Sequence, residues 1–168
     1  MTQALAAPLP AERRETTSMT IWPSLAVYAS GRFLGRLYSI RFPDIYIFRL
    51  GNLLALASIP YALALYFYRV LPRVGVRYRL TDQRIMIERG GLGGTVERAV
   101  ALDGFDTIDI AVQPGQEWFH AGDLVFRRSG TEVFRLGAVS RPETFRQTCL
   151  KARAAYVGVR EVLARQAP

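Results

Sequence analysis

The sequence has few of the residues that build metal and redox sites. Cys149 is the single cysteine and His120 the single histidine. One cysteine excludes a disulfide within the chain, and one cysteine with one histidine cannot supply a structural zinc site. The 14 acidic residues show no metal-loop spacing. We therefore expect neither a metal ion nor a cofactor.

Lysine is also scarce, because Lys151 is the one lysine among 22 basic residues. The formal net charge is nevertheless +8, carried by arginine. A positive balance suits anionic lipid headgroups and nucleic acid equally well by charge alone. The arginines are scattered, and many lie close to the long apolar run described next, which is a poor pattern for a nucleic-acid interface. We expect lipids as partners, and no nucleic acid.

Charge is absent from residues 50–68, LGNLLALASIPYALALYFY. A helix of that length spans roughly 28 Å, close to the ~30 Å hydrocarbon core of a bilayer. Arg49 and Arg69 flank the run. A buried helix of a soluble protein is the alternative, but no polar stripe breaks the run. We predict one transmembrane helix, with flanks at 46–72, and a single-pass location in the inner (cytoplasmic) membrane with the C-terminal domain in the cytoplasm.

The residues before this run form two predicted segments. Residues 1–18 are small and polar and contain proline, so we expect a flexible tail without a secretory signal. Residues 19–45 include Arg32 and Arg36, each costing about 2.5–3.5 kcal/mol at the centre of a membrane helix. We predict an interfacial amphipathic segment here. Packing on the C-terminal domain or on the protein's own helix is the alternative.

From residue 75 the hydrophobic pattern changes to period two, which is typical of half-buried antiparallel strands. The run at 95–102 alternates less cleanly and predicts a β-bulge. Glycine-rich turns separate the runs, and the one at 90–94 lacks the Lys-Ser/Thr ending of a phosphate loop. The six predicted strands lie at 76–80, 84–88, 95–102, 108–112, 124–127 and 133–136.

A C-terminal helix follows, with Pro142 in its first turn. Apolar residues recur at steps of four and three, which predicts one stripe that covers the sheets. Cys149 lies on this stripe and is expected to be a buried small hydrophobe. The stripe consists of Phe145, Cys149, Ala152, Tyr156, Val159 and Leu163. The predicted fold is mainly β with a C-terminal α-helix, a small barrel or sandwich preceded by one transmembrane helix.

Three motifs carry a family resemblance: YRLTDQRIMIERGGLGG at 78–94, LDGFDTIDIAV at 102–112 and GDLVF at 122–126. In this order they resemble the bacterial PH-like domain family, so that 75–165 is predicted to form a PH-like domain. The resemblance implies a lipid- or protein-recognition module, commonly preceded by membrane spans. The family pattern has seven strands where six are counted here, and residues 113–120 replace an apolar loop of the family.

No catalytic constellation is visible, since His120 has no nucleophile motif nearby. We interpret the chain as a non-enzymatic, membrane-anchored binding or scaffolding module that acts at the membrane surface. An assembly factor or accessory subunit of a larger membrane protein complex is the alternative. A hydrolase or transferase with an unrecognised site is a third hypothesis.

Two groups of residues are candidate binding sites. Arg69, Arg73, Arg77 and Arg79 follow the apolar run and are predicted to contact anionic lipid, with simple topology anchoring as the alternative. Trp118 and Phe119 lie in a loop and are predicted to be a membrane wedge or partner hot spot, or else to plug the barrel mouth. The expected partners are membrane lipids, a membrane protein or a second copy of the chain.

Overall fold

A computed structural model describes residues 15–39, 50–71, 75–90 and 94–166; between residues 50 and 70 the side chains are described over 56–68. These residues form seven strands and three α-helices. The strands are β1 (Thr17–Ile21), β2 (Val76–Thr81), β3 (Arg84–Arg89), β4 (Thr95–Ala101), β5 (Thr107–Ala111), β6 (Ala121–Arg128) and β7 (Thr131–Ser140). The helices are α1 (Ala29–Ser39), α2 (Leu50–Val70) and α3 (Pro142–Gln166).

The strands form two antiparallel sheets, in the orders β1-β2-β3-β4 and β5-β6-β7. The mainly β fold with a C-terminal helix is thus confirmed, and so are the six predicted strands. The predicted bulge is also present, because Ile87 pairs with Arg98 whereas Glu88 pairs with Val96, leaving Glu97 as the extra residue.

The seventh strand, β1, comes from a part of the chain where no strand was predicted. It pairs antiparallel with β2, placing Ile21 opposite Tyr78, with a register shift between Thr17 and Met19. Residues 1–14 of the predicted flexible tail, 1–18, lie outside the described residues. The last two residues of that predicted tail, 17 and 18, belong to β1. β1 therefore completes the first sheet before the chain enters the helices.

The β1–β2 pairing makes α1 and α2 a helical hairpin inserted between two neighbouring strands. The chain leaves the sheet after Ile21 and returns to the same edge at Val76. One crossing of a bilayer would put these two paired strands on opposite sides of it. The predicted single transmembrane helix at 50–68 is therefore wrong, although a helix does form there.

The composition of the described helices agrees with this correction. Within the described ranges, no helix is both long enough and apolar enough to cross a bilayer. The predicted single-pass membrane location rested on that crossing and is wrong with it.

The core lies between the two sheets and α3. Phe105, Phe126 and Phe134 meet edge to face, with ring centroids 5.0 and 5.6 Å apart. Phe145 and Cys149 of α3 are buried against them, which confirms the first half of the predicted stripe. Further along α3 the stripe is not covered, since Val159 and Leu163 are exposed.

Candidate functional site

The helical hairpin presents an apolar surface to solvent. One side of α2 faces α1, where the hydroxyls of Tyr38 and Ser58 share a hydrogen bond. Near the other end of α2, the Tyr68 ring packs edge to face on Tyr28, with centroids 5.7 Å apart. Only the stripe of Ser58, Ala62 and Leu65 is half-buried. Every other described side chain of this helix is exposed.

The exposed side of α2 carries a ridge of large apolar side chains at helical spacing. Leu56, Ile59, Leu63 and Phe67 lie at steps of three and four, with exposed fractions of 64, 49, 52 and 62%. We call these four residues the α2 ridge. No charged residue interrupts it between 56 and 68. Single exposed leucines are ordinary on a protein surface, whereas a row of four large apolar side chains without a charge makes this ridge a candidate interaction site.

Trp118 and Phe119, which the sequence treats as a pair, have different surroundings. Trp118 is 52% exposed and its ring lies 5.4 Å from that of Tyr38, so it borders the hairpin surface. Phe119 is half-buried and packs with Ala26, Ala121 and Ala138. Trp118 is therefore available for contact with a partner, whereas Phe119 fills a small apolar cluster under the hairpin.

The loop that carries Trp118 is fixed by a buried carboxylate. Asp123 on β6 is 2% exposed, and its Oδ1 accepts hydrogen bonds from the Gln116 side chain at 2.7 Å and from the Ala138 amide at 2.9 Å. Its Oδ2 accepts from the Gln113 side chain at 2.5 Å, and Arg135 lies 3.3 Å away. These contacts satisfy both oxygens, as a buried carboxylate requires. The loop is thus held rigidly against β6 and β7.

The arginines predicted to contact lipid are not gathered into one free cluster. Arg77 is buried and donates to Glu88 at 2.5 Å, and Arg79 lies 3.1 Å from the other oxygen of the same carboxylate. Both guanidinium groups are thus engaged by Glu88. Arg73 lies outside the described residues, and so does the side chain of Arg69. Lipid contact by this group remains a prediction.

The single histidine and the single cysteine have no catalytic partner group described beside them. His120 is exposed and has a left-handed backbone, with φ 48°, at the end of a short 3-10 turn. Cys149 is fully buried, and burial raises the pKa of its thiol to about 12. Among the described residues, no three His, Cys, Asp or Glu side chains lie close enough together to hold a metal ion.

A second apolar surface lies at the other end of β2. The exposed half of α3 and the β2–β3 turn enclose an open groove of about 600 Å³. Tyr156, Val159 and Leu163 line one wall, and Ser18 and Asp82 line the other. The molecule therefore has apolar surfaces at both ends of its first sheet.

Sequence reasoning missed the residues that hold the hairpin surface together. Gly35 and Tyr38 were assigned to the predicted interfacial segment and Ser58 to the predicted membrane helix, and none was given a positioning role, because their contacts exist only after the hairpin has folded onto the loop. Asp123 left a readable signal, since it is a charged residue inside a strand whose neighbours Leu124 and Val125 are apolar. A polar group in such a run is expected to be hydrogen-bonded internally.

Comparison with known proteins supports the interpretation of the fold. The family model described as "Bacterial PH domain" matches residues 25–153, which include the helical hairpin, β2–β7 and the first half of α3. No curated protein and no solved structure matches the chain. Domains of this family are generally binding modules without catalytic activity. Because the match covers most of the sequence, the chain belongs to the bacterial PH domain family.

Proposed function

We propose that this protein is a non-enzymatic binding module that recognises an apolar helix of a partner protein through the α2 ridge and Trp118. The observation that carries the proposal is the exposed, uncharged ridge itself. Its spacing matches the pattern by which one helix packs along another, in which residues at i, i+3, i+7 and i+11 provide the contacts. Leucine and aromatic side chains supply the apolar area, and tryptophan is among the residues that dominate binding energy in such interfaces.

The choice of a protein partner over a lipid surface rests on charge. Lipid binding by a peripheral protein draws on both apolar area and basic residues that attract anionic headgroups. Glu88 balances one of the two positive charges of Arg77 and Arg79, and Arg77 is buried, so this group offers a net charge of +1 to a lipid surface. Action at a membrane surface, through lipids, is therefore the competing function.

A charge placed on the ridge tests the proposal. Leu63→Glu puts a carboxylate in the middle of the ridge, and Val159→Glu is the matched control on α3, with similar exposure of the original side chain (52 and 43%). The tagged full chain and both variants are purified from the native host, and the mass and composition of each complex are measured. Circular dichroism checks that all three are folded.

We expect the wild type and Val159→Glu to carry a second polypeptide in a fixed ratio, and Leu63→Glu to lose it. A partner that stays bound in this way would make the chain a subunit of a larger complex, the alternative raised by the sequence. A complex that survives Leu63→Glu, or a homo-oligomer alone, would overturn the proposal. Flotation with vesicles of phosphatidylcholine and phosphatidylglycerol (3:1) tests the competing function. Binding that Leu63→Glu abolishes, without any protein complex, would favour lipid.

A further inference from the structure

The hairpin touches the loop between β5 and β6 through a close backbone contact between two glycines. A methyl group built on Gly35 of α1 would lie 2.1 Å from the carbonyl oxygen of Gly115 and 3.0 Å from the Phe119 ring. The reverse contact is equally tight, because a methyl group on Gly115 would lie 2.2 Å from the Arg32 carbonyl oxygen. Gly115 also has φ +91°, a conformation that favours glycine. Neither position has room for a side chain.

Polar and aromatic contacts surround this glycine pair. The Arg36 guanidinium donates to the Pro114 carbonyl oxygen at 3.3 Å, and the Tyr38 ring meets Trp118. The loop side of the contact is fixed by the bonds of Gln113 and Gln116 to Asp123. α1 therefore packs on a loop whose position is fixed by buried hydrogen bonds. α2 in turn is bonded to α1 through Ser58 and Tyr38.

We infer that the Gly35–Gly115 contact is the joint that sets the orientation of the hairpin and thereby positions the α2 ridge beside Trp118. The expected effect on partner binding rests on the proposed function, whereas the orientation of the hairpin is a property of the isolated chain. It assigns a positioning role to Gly35, a residue that lies outside the ridge and is buried from any partner.

Gly35→Ala tests the joint, since its new methyl group needs about 3.5 Å where 2.1 Å exists. α1 must therefore move by about 1–2 Å or the loop must distort. Gly158→Ala on α3 is the matched control, because a methyl group there meets no atom within 4 Å. Arg36→Gln is a milder second variant, as Arg36 is exposed and its removal leaves the core intact.

The distance from α2 to β7 is measured directly in the full chain without any partner. Spin labels are placed at Ala57→Cys and Thr131→Cys, both at exposed positions, while the buried Cys149 stays unlabelled. We expect the same narrow distribution of label distances in the wild type and Gly158→Ala, and a shifted or broadened one in Gly35→Ala and, to a smaller degree, Arg36→Gln. Unchanged distances in both test variants would overturn the joint.

The complex assay then tests the consequence. Gly35→Ala is expected to reduce the amount of bound partner severalfold although every ridge residue is retained, and Gly158→Ala to leave it unchanged. A changed distance with full partner binding would overturn the positioning role. If the proposed function itself is wrong, the complex will instead survive the Leu63→Glu substitution. The two failures are therefore distinguishable.

Discussion

Ile21 of β1 lies opposite Tyr78 of β2, although the whole helical hairpin separates them in sequence. This pairing anchors both ends of the hairpin at one edge of the first sheet. The chain therefore enters the hairpin from β1 and leaves it into β2, two strands that lie side by side. The stability of β1 therefore controls how firmly the hairpin is held.

The first prediction concerns the two faces of β1. Ile21 packs against the core, so Ile21→Ala should lower the free energy of unfolding by about 1–2 kcal/mol. Thr20 is exposed on the same strand, and Thr20→Ala should change it by less than about 0.5 kcal/mol. Urea unfolding of the full chain measures both. Equal effects would mean that β1 does not pack as described.

The second prediction concerns the buried carboxylate between two arginines. Glu88→Gln should lower the free energy of unfolding by about 3 kcal/mol, because it leaves the buried Arg77 guanidinium without its counter-charge. Glu97 forms an ion pair with Arg89 on the surface, and Glu97→Gln should cost less than about 1 kcal/mol. Thermal or urea unfolding at neutral pH compares the two. A small effect of Glu88→Gln would indicate that Arg77 can reach solvent, and would restore it as a candidate for lipid contact.

The third prediction is a pH dependence. Arg84 donates to both oxygens of Glu15, at 2.8 and 2.7 Å, and this holds the pKa of Glu15 below its ordinary value of 4.5. The stabilisation is therefore fully present above pH 4.5 and is lost as the pH falls through the lower folded-state pKa. Glu15→Gln should cost about 0.5 kcal/mol at neutral pH, a cost that shrinks in acid.

Arg84→Gln provides the control for this pair. In the Arg84→Gln background, Glu15→Gln should produce a smaller pH-dependent difference, because the interaction that lowers the pKa of Glu15 most is gone while the Thr81 hydrogen bond remains. Urea unfolding of the four chains between about pH 3 and 7 gives the cycle. An undiminished difference without Arg84 would assign the effect to another partner, such as Thr81, whose hydroxyl also bonds Glu15.

The fourth prediction concerns the thiol of Cys149. Burial raises its pKa to about 12, and only the thiolate reacts with alkylating agents. Iodoacetamide at pH 8 should therefore label the folded chain only when it opens, and label it fully in denaturant. Mass spectrometry follows the reaction. Rapid labelling of the folded chain would show that α3 does not cover the core at this point.

Most strands of the two sheets and the C-terminal helix were predictable, because each is indicated by a pattern of neighbouring residues. Alternation of apolar and polar residues located β2–β7, and the stripe through Phe145 and Cys149 located α3. β1 was missed because its five residues, TSMTI, show weak alternation and lie on the far side of the hairpin from their partner strand. A strand of this kind is defined by pairing with β2, which no local pattern records.

The helix at Leu50–Val70 shows the limit of hydropathy in a different way. Its composition indicates an apolar environment, but not whether lipid, the protein's own residues or a partner provides it. The connection of both hairpin ends to one sheet edge decided against a single crossing. Likewise, the contact of Gly35 with Gly115 depends on two segments that are distant in sequence, so no spacing rule points to it.

In the proposed function, the α2 ridge contacts an apolar helix of another protein. The most direct measurement places a photo-crosslinking amino acid at Leu63, and separately at the exposed Thr131 of β7, in the full chain in its native host. Adducts are then identified by mass spectrometry. We expect one discrete protein adduct from position 63, joined to an apolar helical segment of that protein, and none from position 131. Lipid adducts alone at position 63, or the same proteins captured from both positions, would contradict it.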